Sequence, residues 1–273
     1  MADDAPKRIR YPLGLPLIDV RTANTARTWN YMIGGKDNFE ADREAARRLM
    51  AAAPIIAAAA PASRAFLRRT VQYLVTAGIH QFLDIGTGLP TAGSTHEIAQ
   101  AIAPHCRVVY VDNDPVVLAH ARALLTSVPE GVISYLDADA REPEKILADA
   151  GTTIDFGEPT AIVMVDLLNF IDDDDMAGAI VSALTAGIAS GSYLAITHPA
   201  SDLDPALLEA ERLWNLLATQ RVRLRTRAQV AAMLAGLELV EPGLVTVPEW
   251  RPEEGDPVAP APIPLYGAVA RKP

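Results

Sequence analysis

The sequence predicts an α/β fold, a doubly wound sheet of seven strands with a helical extension at its N-terminus. Three observations carry this. From Gln81 onward, short apolar runs alternate with apolar patterns at helical spacing, the mark of a mostly parallel sheet wound on both faces. The first run, Phe82-Leu83-Asp84-Ile85, ends in Gly86-Thr87-Gly88, where two glycines let the backbone turn tightly. Later runs end in carboxylates, at Asp112, at Asp137 and Asp139, and at Asp166. The carboxyl ends of such strands are where a wound sheet presents its ligand crevice.

Residues 1–79 read as an arm followed by helices. Pro54 and Pro61 bound a short Ala-rich piece, and Ser63 reads as the N-cap of a helix carrying Phe66, Leu67, Thr70, Val71 and Leu74 at helical spacing. Residues 80–273 read as the ligand-binding domain. After the first strand, Ser94-Thr95-His96-Glu97 is a capping box. Arg107 to Val111 is the second strand, and Asp114-Pro115 starts a helix. Val132 to Leu136, Ala161 to Val165 and Gly191 to Thr197 are strands three to five, with a helix from about Asp175 to Ala189 before the fifth. Asp204-Pro205 and Thr226 cap two more helices, and Leu237 to Val240 is the sixth strand. Pro242 to Pro264, rich in proline and acid, is a surface excursion, and Leu265 to Ala270 is the last strand.

The chain has 273 residues, half of them hydrophobic, so it can bury a sizeable core. Its formal net charge of -10 argues against a nucleic-acid partner, because phosphate contacts need a basic face. The alternating Arg221, Arg223, Arg225 and Arg227 read as an edge segment with a solvated face. The longest apolar run, Pro54 to Ala62, is too short to span a bilayer, and the acidic start lacks a signal-peptide core, so no membrane partner and a cytoplasmic location are expected. The single cysteine, Cys106, can form no internal disulfide and reads as a small buried residue. Asp172 to Asp175 read as a solvated loop and helix start, since consecutive side chains do not converge on one ion, and no metal site is expected. Nothing in the sequence gives the oligomeric state.

The glycine loop departs from the dinucleotide fingerprint. A third glycine is missing, and Asp84 stands two residues before the first. A carboxylate there repels a pyrophosphate and suits a ligand carrying an ammonium and a sulfonium. Asp112, 24 residues past Gly88, is placed to accept both hydroxyls of a ribose. Asp114 reads as a helix cap, and Asn113 fits either role. At the end of strand three, Asp139, or else Asp137, is placed to accept an exocyclic adenine amine. Asp166 and Asn169, after strand four, are candidates for orienting an acceptor substrate. His198 is the one histidine at a strand end and the candidate general base. In the extension, Gly34-Gly35 reads as a flexible joint between Tyr31 and Lys36, in a segment that could close the pocket and offer a cation to a cofactor carboxylate.

Together these residues resemble the class I S-adenosylmethionine-dependent methyltransferases, and more narrowly an actinobacterial S-adenosyl methyltransferase family of unassigned substrate. The resemblance runs from about Arg21 to the C-terminus. It is carried by Asn30 to Phe39 with Ala41-Asp42-Arg43, by Phe82 to Thr91, by Val109 to Pro115, and by Leu237 to Gly243. It implies a Rossmann-like sheet whose last strand is antiparallel, with Gly86 and Gly88 lining the cofactor and Asp112 holding its ribose. Asn30 stands where the family pattern leads one to expect Asp; Asp166 and Asn169 stand where it leads one to expect small or apolar residues and a His. The expected activity is methyl transfer from S-adenosyl-L-methionine to a small or medium-sized acceptor. The alternative is a protein that binds this cofactor without chemistry.

Overall fold

A computed structural model describes residues 8–9, 18–124, 126–218, 220–256 and 262–273. Most of the N-terminal arm and residues 257–261 of the proline-rich excursion lie outside the described residues. Two short strands, β1 (Arg8–Ile9) and β2 (Ile18–Asp19), pair antiparallel. Helices α1 (Thr25–Met32), α2 (Glu40–Ala52) and α3 (Ile56–Thr76) follow. The alternating region then runs β3 (Gln81–Ile85), α4 (Thr95–Ile102), β4 (Arg107–Asp112), α5 (Pro115–Leu124), β5 (Val132–Asp137), α6 (Pro143–Ala150), β6 (Ala161–Met164), α7 (Asp174–Ala186) and β7 (Tyr193–Pro199). It closes with α8 (Ala206–Leu217), α9 (Arg227–Met233), β8 (Glu238–Leu239), β9 (Val245–Thr246) and β10 (Leu265–Arg271).

The sheet order is β5-β4-β3-β6-β7-β10-β8, with β9 added alongside β10. Strands β3 to β7 are parallel, and β10 runs antiparallel against β7 from Leu265↔Pro199 to Arg271↔Tyr193. The antiparallel last strand is therefore inserted between β7 and β8. The order reverses at β3, which has β4 on one side and β6 on the other, so the crevice opens beyond the carboxyl end of β3.

Strand alternation sends Leu83 and Ile85 to one face, against α6, α7 and α9, and Phe82 to the other, against α3 and α4. Helix α3 is thus a layer of the main core, packed through Phe66, Leu67, Val71 and Leu74. A boundary at residue 79 cuts through that core. The helix also begins before Pro61 and continues through it, which places Ser63 inside α3 rather than at its N-cap. A mid-helix proline costs about 3 kcal/mol; the buried face that follows it outweighs that cost. Helix α6 escaped the periodicity reading because its apolar face holds little beyond Ile146 and Ala150.

A third apolar cluster joins α2 to α8 through Leu49, Ala53, Leu207, Ala210 and Trp214. Helix α1 is tied to α2 by a buried ion pair, Arg27 Nε to Asp42 Oδ2 at 2.8 Å. Together α1, α2 and α8 roof the strand ends. No single helix among the described residues is long and apolar enough to cross a membrane.

Candidate functional site

Between the strand ends and this roof lies a cavity of about 590 Å³, within the range of about 300–1,000 Å³ typical of small-molecule sites. Its floor begins at the glycine loop. Gly86 has φ +78°, and a Cβ there would lie 2.6 Å from Leu167 Cδ1, so both conformation and packing demand glycine. Gly88 has φ +63° and open space where a Cβ would point. The Gly88 N–H donates to Asp112 Oδ2 at 3.0 Å, binding the end of β3 to the end of β4. Asp112 Oδ1 accepts the Asp114 N–H at 2.9 Å. A carboxylate has about four lone-pair sites, so Asp112 can still accept two hydroxyls. Burial pushes its pKa up to about 6.

Asp84 projects from β3 into the same cavity. Its Oδ2 accepts the Thr95 hydroxyl at 2.6 Å, and burial pushes its pKa up to about 6. Asn113 and Asp139 also line the cavity; the Asn113 amide donates to Asp139 Oδ2 at 3.0 Å, joining the ends of β4 and β5. Asp137 does not line it. Its side chain is exposed at the end of β5, the edge strand of the sheet, outside the cavity.

Beyond β6 the chain turns at Asp166, whose φ of +54° is a left-handed conformation that Asp tolerates. Asp166 accepts hydroxyls from Ser63 of α3 and Thr197 of β7, and burial raises its pKa. Asn169 sits in the short turn that follows, 5 % exposed, with an Oδ1 that has no hydrogen-bond partner. Both residues line the cavity.

His198 does not. It is fully buried, with Nδ1 bonded to the Pro199 carbonyl and Nε2 accepting from the Arg225 guanidinium at 2.9 Å. Burial holds its pKa down at about 4. With both ring nitrogens engaged inside the core, the general-base expectation is corrected: His198 supports Arg225. That arginine is itself fully buried, bonded to Asp174 and to the carbonyls of Leu168 and Ile171. Of the basic stretch, Arg221 and Arg227 are exposed and Arg223 is half-exposed, as a solvated face requires; Arg225 alone turns inward and braces the turn that carries Asn169. His198→Asn is expected to lower stability by about 1–3 kcal/mol, the cost of a weakened buried hydrogen bond, and to leave ligand affinity in the cavity unchanged. A thermal melt and a binding titration check both halves.

The extension contributes to the cavity, but by other residues than expected. Thr28, Trp29 and Met32 of α1 line it; Tyr31, Gly34, Gly35 and Lys36 do not. The two glycines are no free joint. They end α1, and a Cβ on Gly35 would lie 2.3 Å from the Asn30 amide. Lys36 is exposed. Two cations among the described residues line the cavity, Arg141, paired with Asp139, and Arg64 of α3, whose Nη2 donates to the Gly93 carbonyl at 2.7 Å. Burial lowers its pKa, against the opposing pull of Asp84. The signal for it was present: Ile56, Ala59, Ser63 and Leu67 recur at helical spacing on the lining face. A helix begun at Ser63 leaves out Ile56 and Ala59, and with them the face on which Arg64 borders the cavity.

A family model described as S-adenosyl methyltransferase matches residues 15–273. The chain is 41% identical to a DUF574 family protein from Streptomyces avermitilis MA-4680, covering 93% of this chain and 99% of that one, with a TM-score of 0.90. It is 38% identical to a candidate methyltransferase from Thermobifida fusca YX, covering 93% and 96%, with a TM-score of 0.85. Human N-acetylserotonin methyltransferase, solved in complex with S-adenosylmethionine, shares the fold at 15% identity, covering 92% of this chain and 63% of that one, with a TM-score of 0.50. No curated protein matches the chain. By the match over nearly its whole length and by these two close structural relatives, the chain belongs to the S-adenosyl methyltransferase family and is an S-adenosylmethionine-dependent methyltransferase.

Proposed function

We propose that the chain transfers the methyl group to a small or medium-sized molecule held under the α1–α2–α8 roof, by in-line displacement. The observation that carries this is one cavity lined both by the Gly86–Gly88 loop with Asp84 and Asp112 and by the apolar roof. When bound, the cofactor supplies a methyl carbon activated by an adjacent sulfonium. The protein then mainly has to align the acceptor and exclude water.

The residues fit this ligand. Asp112 has two acceptor sites left for ribose hydroxyls. Asp139, beside Asn113, takes the adenine amine. Gly86 and Gly88, with Thr87, let the loop backbone approach the ligand. Asp84 faces the ammonium, and Arg64 takes the carboxylate in place of Lys36. Asn169 offers an unpartnered amide to the acceptor, and Asp166 lies where it can receive the proton that the acceptor loses as its lone pair bonds to the methyl carbon. The raised pKa of Asp166 favours that transfer. A cytoplasmic location, and partners limited to small molecules, go with this reading; they are supported by the acidic charge and by the lack of a spanning helix among the described residues.

Calorimetry with S-adenosylhomocysteine tests it. Arg64→Met is expected to weaken binding by about tenfold or more, since a hydrogen bond to a charged group is worth about 1.5–3 kcal/mol. Lys36→Met is expected to change nothing. Methylthioadenosine, which lacks the amino-acid moiety, should bind the parent and Arg64→Met alike. Tight NAD binding with no response to S-adenosylhomocysteine would overturn the reading.

A further inference from the structure

We propose that the acceptor is an amphipathic amine, with an apolar, ring-bearing body under the roof and a cationic group paired with Glu211. This rests on the methyltransferase reading above and deepens it to a substrate class.

Helix α8 turns Leu207, Ala210, Glu211 and Trp214 to the cavity, the i, i+3, i+4, i+7 positions of one helix face. The Glu211 carboxylate is thus set into an apolar wall completed by Met32, Val222 and Leu224. Its Oε1 accepts the Leu224 N–H at 3.0 Å, which fixes it against that wall. It has no ion-pair partner among the described residues. Arg212, next to it on α8, pairs with Glu209, and Arg223 grips Asp174 with two hydrogen bonds. A carboxylate left unpaired on an apolar wall is matched by a cation from the ligand. Trp29 and Trp214 add aromatic surface, which suits both a ring and a cation.

Charge excludes the opposite class. Asp84, Asp112, Asp114, Asp139, Asp166 and Glu211 line the cavity against only Arg64 and Arg141. An acceptor bearing a carboxylate or phosphate would enter a field of its own sign. Two buried polar side chains of the cavity wall lack partners among the described residues: Thr28 Oγ1, in a residue 2 % exposed, and Asn169 Oδ1, in a residue 5 % exposed. Both residues line the cavity, and a hydroxyl or N–H on the acceptor would satisfy either.

The test uses the full chain saturated with S-adenosylhomocysteine and two probes with the same indole body and opposite charge, tryptamine and indole-3-propionate. Calorimetry is expected to show tryptamine binding at least about tenfold tighter, the coupling of one close charge pair. Glu211→Gln, which keeps an acceptor for the Leu224 N–H, is expected to bring the two probes within about threefold of one another. If that variant does not fold, tryptophol replaces it as the neutral probe on the parent protein, where it is expected to bind more weakly than tryptamine. Equal or tighter binding of indole-3-propionate, a preference that survives Glu211→Gln, tryptophol equal to tryptamine, or no binding of either charged probe overturns the proposal. Failure of S-adenosylhomocysteine itself to bind overturns the methyltransferase reading instead, and this inference with it.

Discussion

Asp112→Ala is expected to weaken S-adenosylhomocysteine binding by about a hundredfold, and by at least about tenfold where water replaces part of the loss. Two hydrogen bonds from ribose hydroxyls to a carboxylate disappear, each worth about 1.5–3 kcal/mol. The melting temperature of the unliganded protein is expected to move little, because two effects oppose. The substitution orphans the Gly88 and Asp114 N–H groups. It also removes a charge that burial disfavours, as the rise of the Asp112 pKa to about 6 records. Calorimetry with a parallel thermal melt checks this. An unchanged dissociation constant would remove Asp112 from the site, and a collapse in stability would make it a structural residue.

Cofactor affinity is expected to fall as pH drops through about 6. Asp84 and Asp112 both have pKa values raised to about 6 by burial, whereas the ligand's ammonium and ribose hydroxyls call for the ionised carboxylates. If both must ionise, binding weakens by about a hundredfold between about pH 7 and about pH 5; if only one of the two must, by about tenfold. The unliganded fold follows the opposite sign. A group whose folded pKa is raised contributes stability that is present below its unfolded value of 3.8 and is lost as pH rises through about 6. The stabilisation that S-adenosylhomocysteine adds to the melting temperature should therefore grow from about pH 5 to about pH 7. A dissociation constant that stays flat over this window would show that neither carboxylate meets the ligand as an anion.

The floor of the cavity was legible because its signals are local. Gly86, Gly88, Asp112, Asn113 and Asp139 lie within a few residues of strand ends that apolar runs announce, and the parallel register of β3, β4 and β5 brings those ends side by side. The same logic failed for His198 and Asp137. Both sit at strand ends, but whether a side chain there reaches the cavity depends on the strand's place in the sheet and on what packs against it. His198 points at a buried arginine that no local pattern foretells. Arg225 itself, in an alternating basic run, carries the composition of a surface strand. Its burial is compensated only by Asp174, His198 and carbonyls from distant turns.

The sequence by itself determined the order of the alternating elements, the tight turn after β3 and the carboxylates that meet it, since glycine conformations and strand periodicity are properties of a few adjacent residues. Only the tertiary structure decided which face of the N-terminal helices closes the cavity. It decided for Thr28, Trp29, Ser63 and Arg64 over Tyr31 and Lys36, because α3 is turned by the apolar face it buries against α4 and the sheet, and α1 is held by the buried Arg27–Asp42 pair that ties it to α2. It also set Glu211 of α8 against Leu224 in the roof, a pairing fixed by helix packing across the chain, which one sequence read from end to end does not contain.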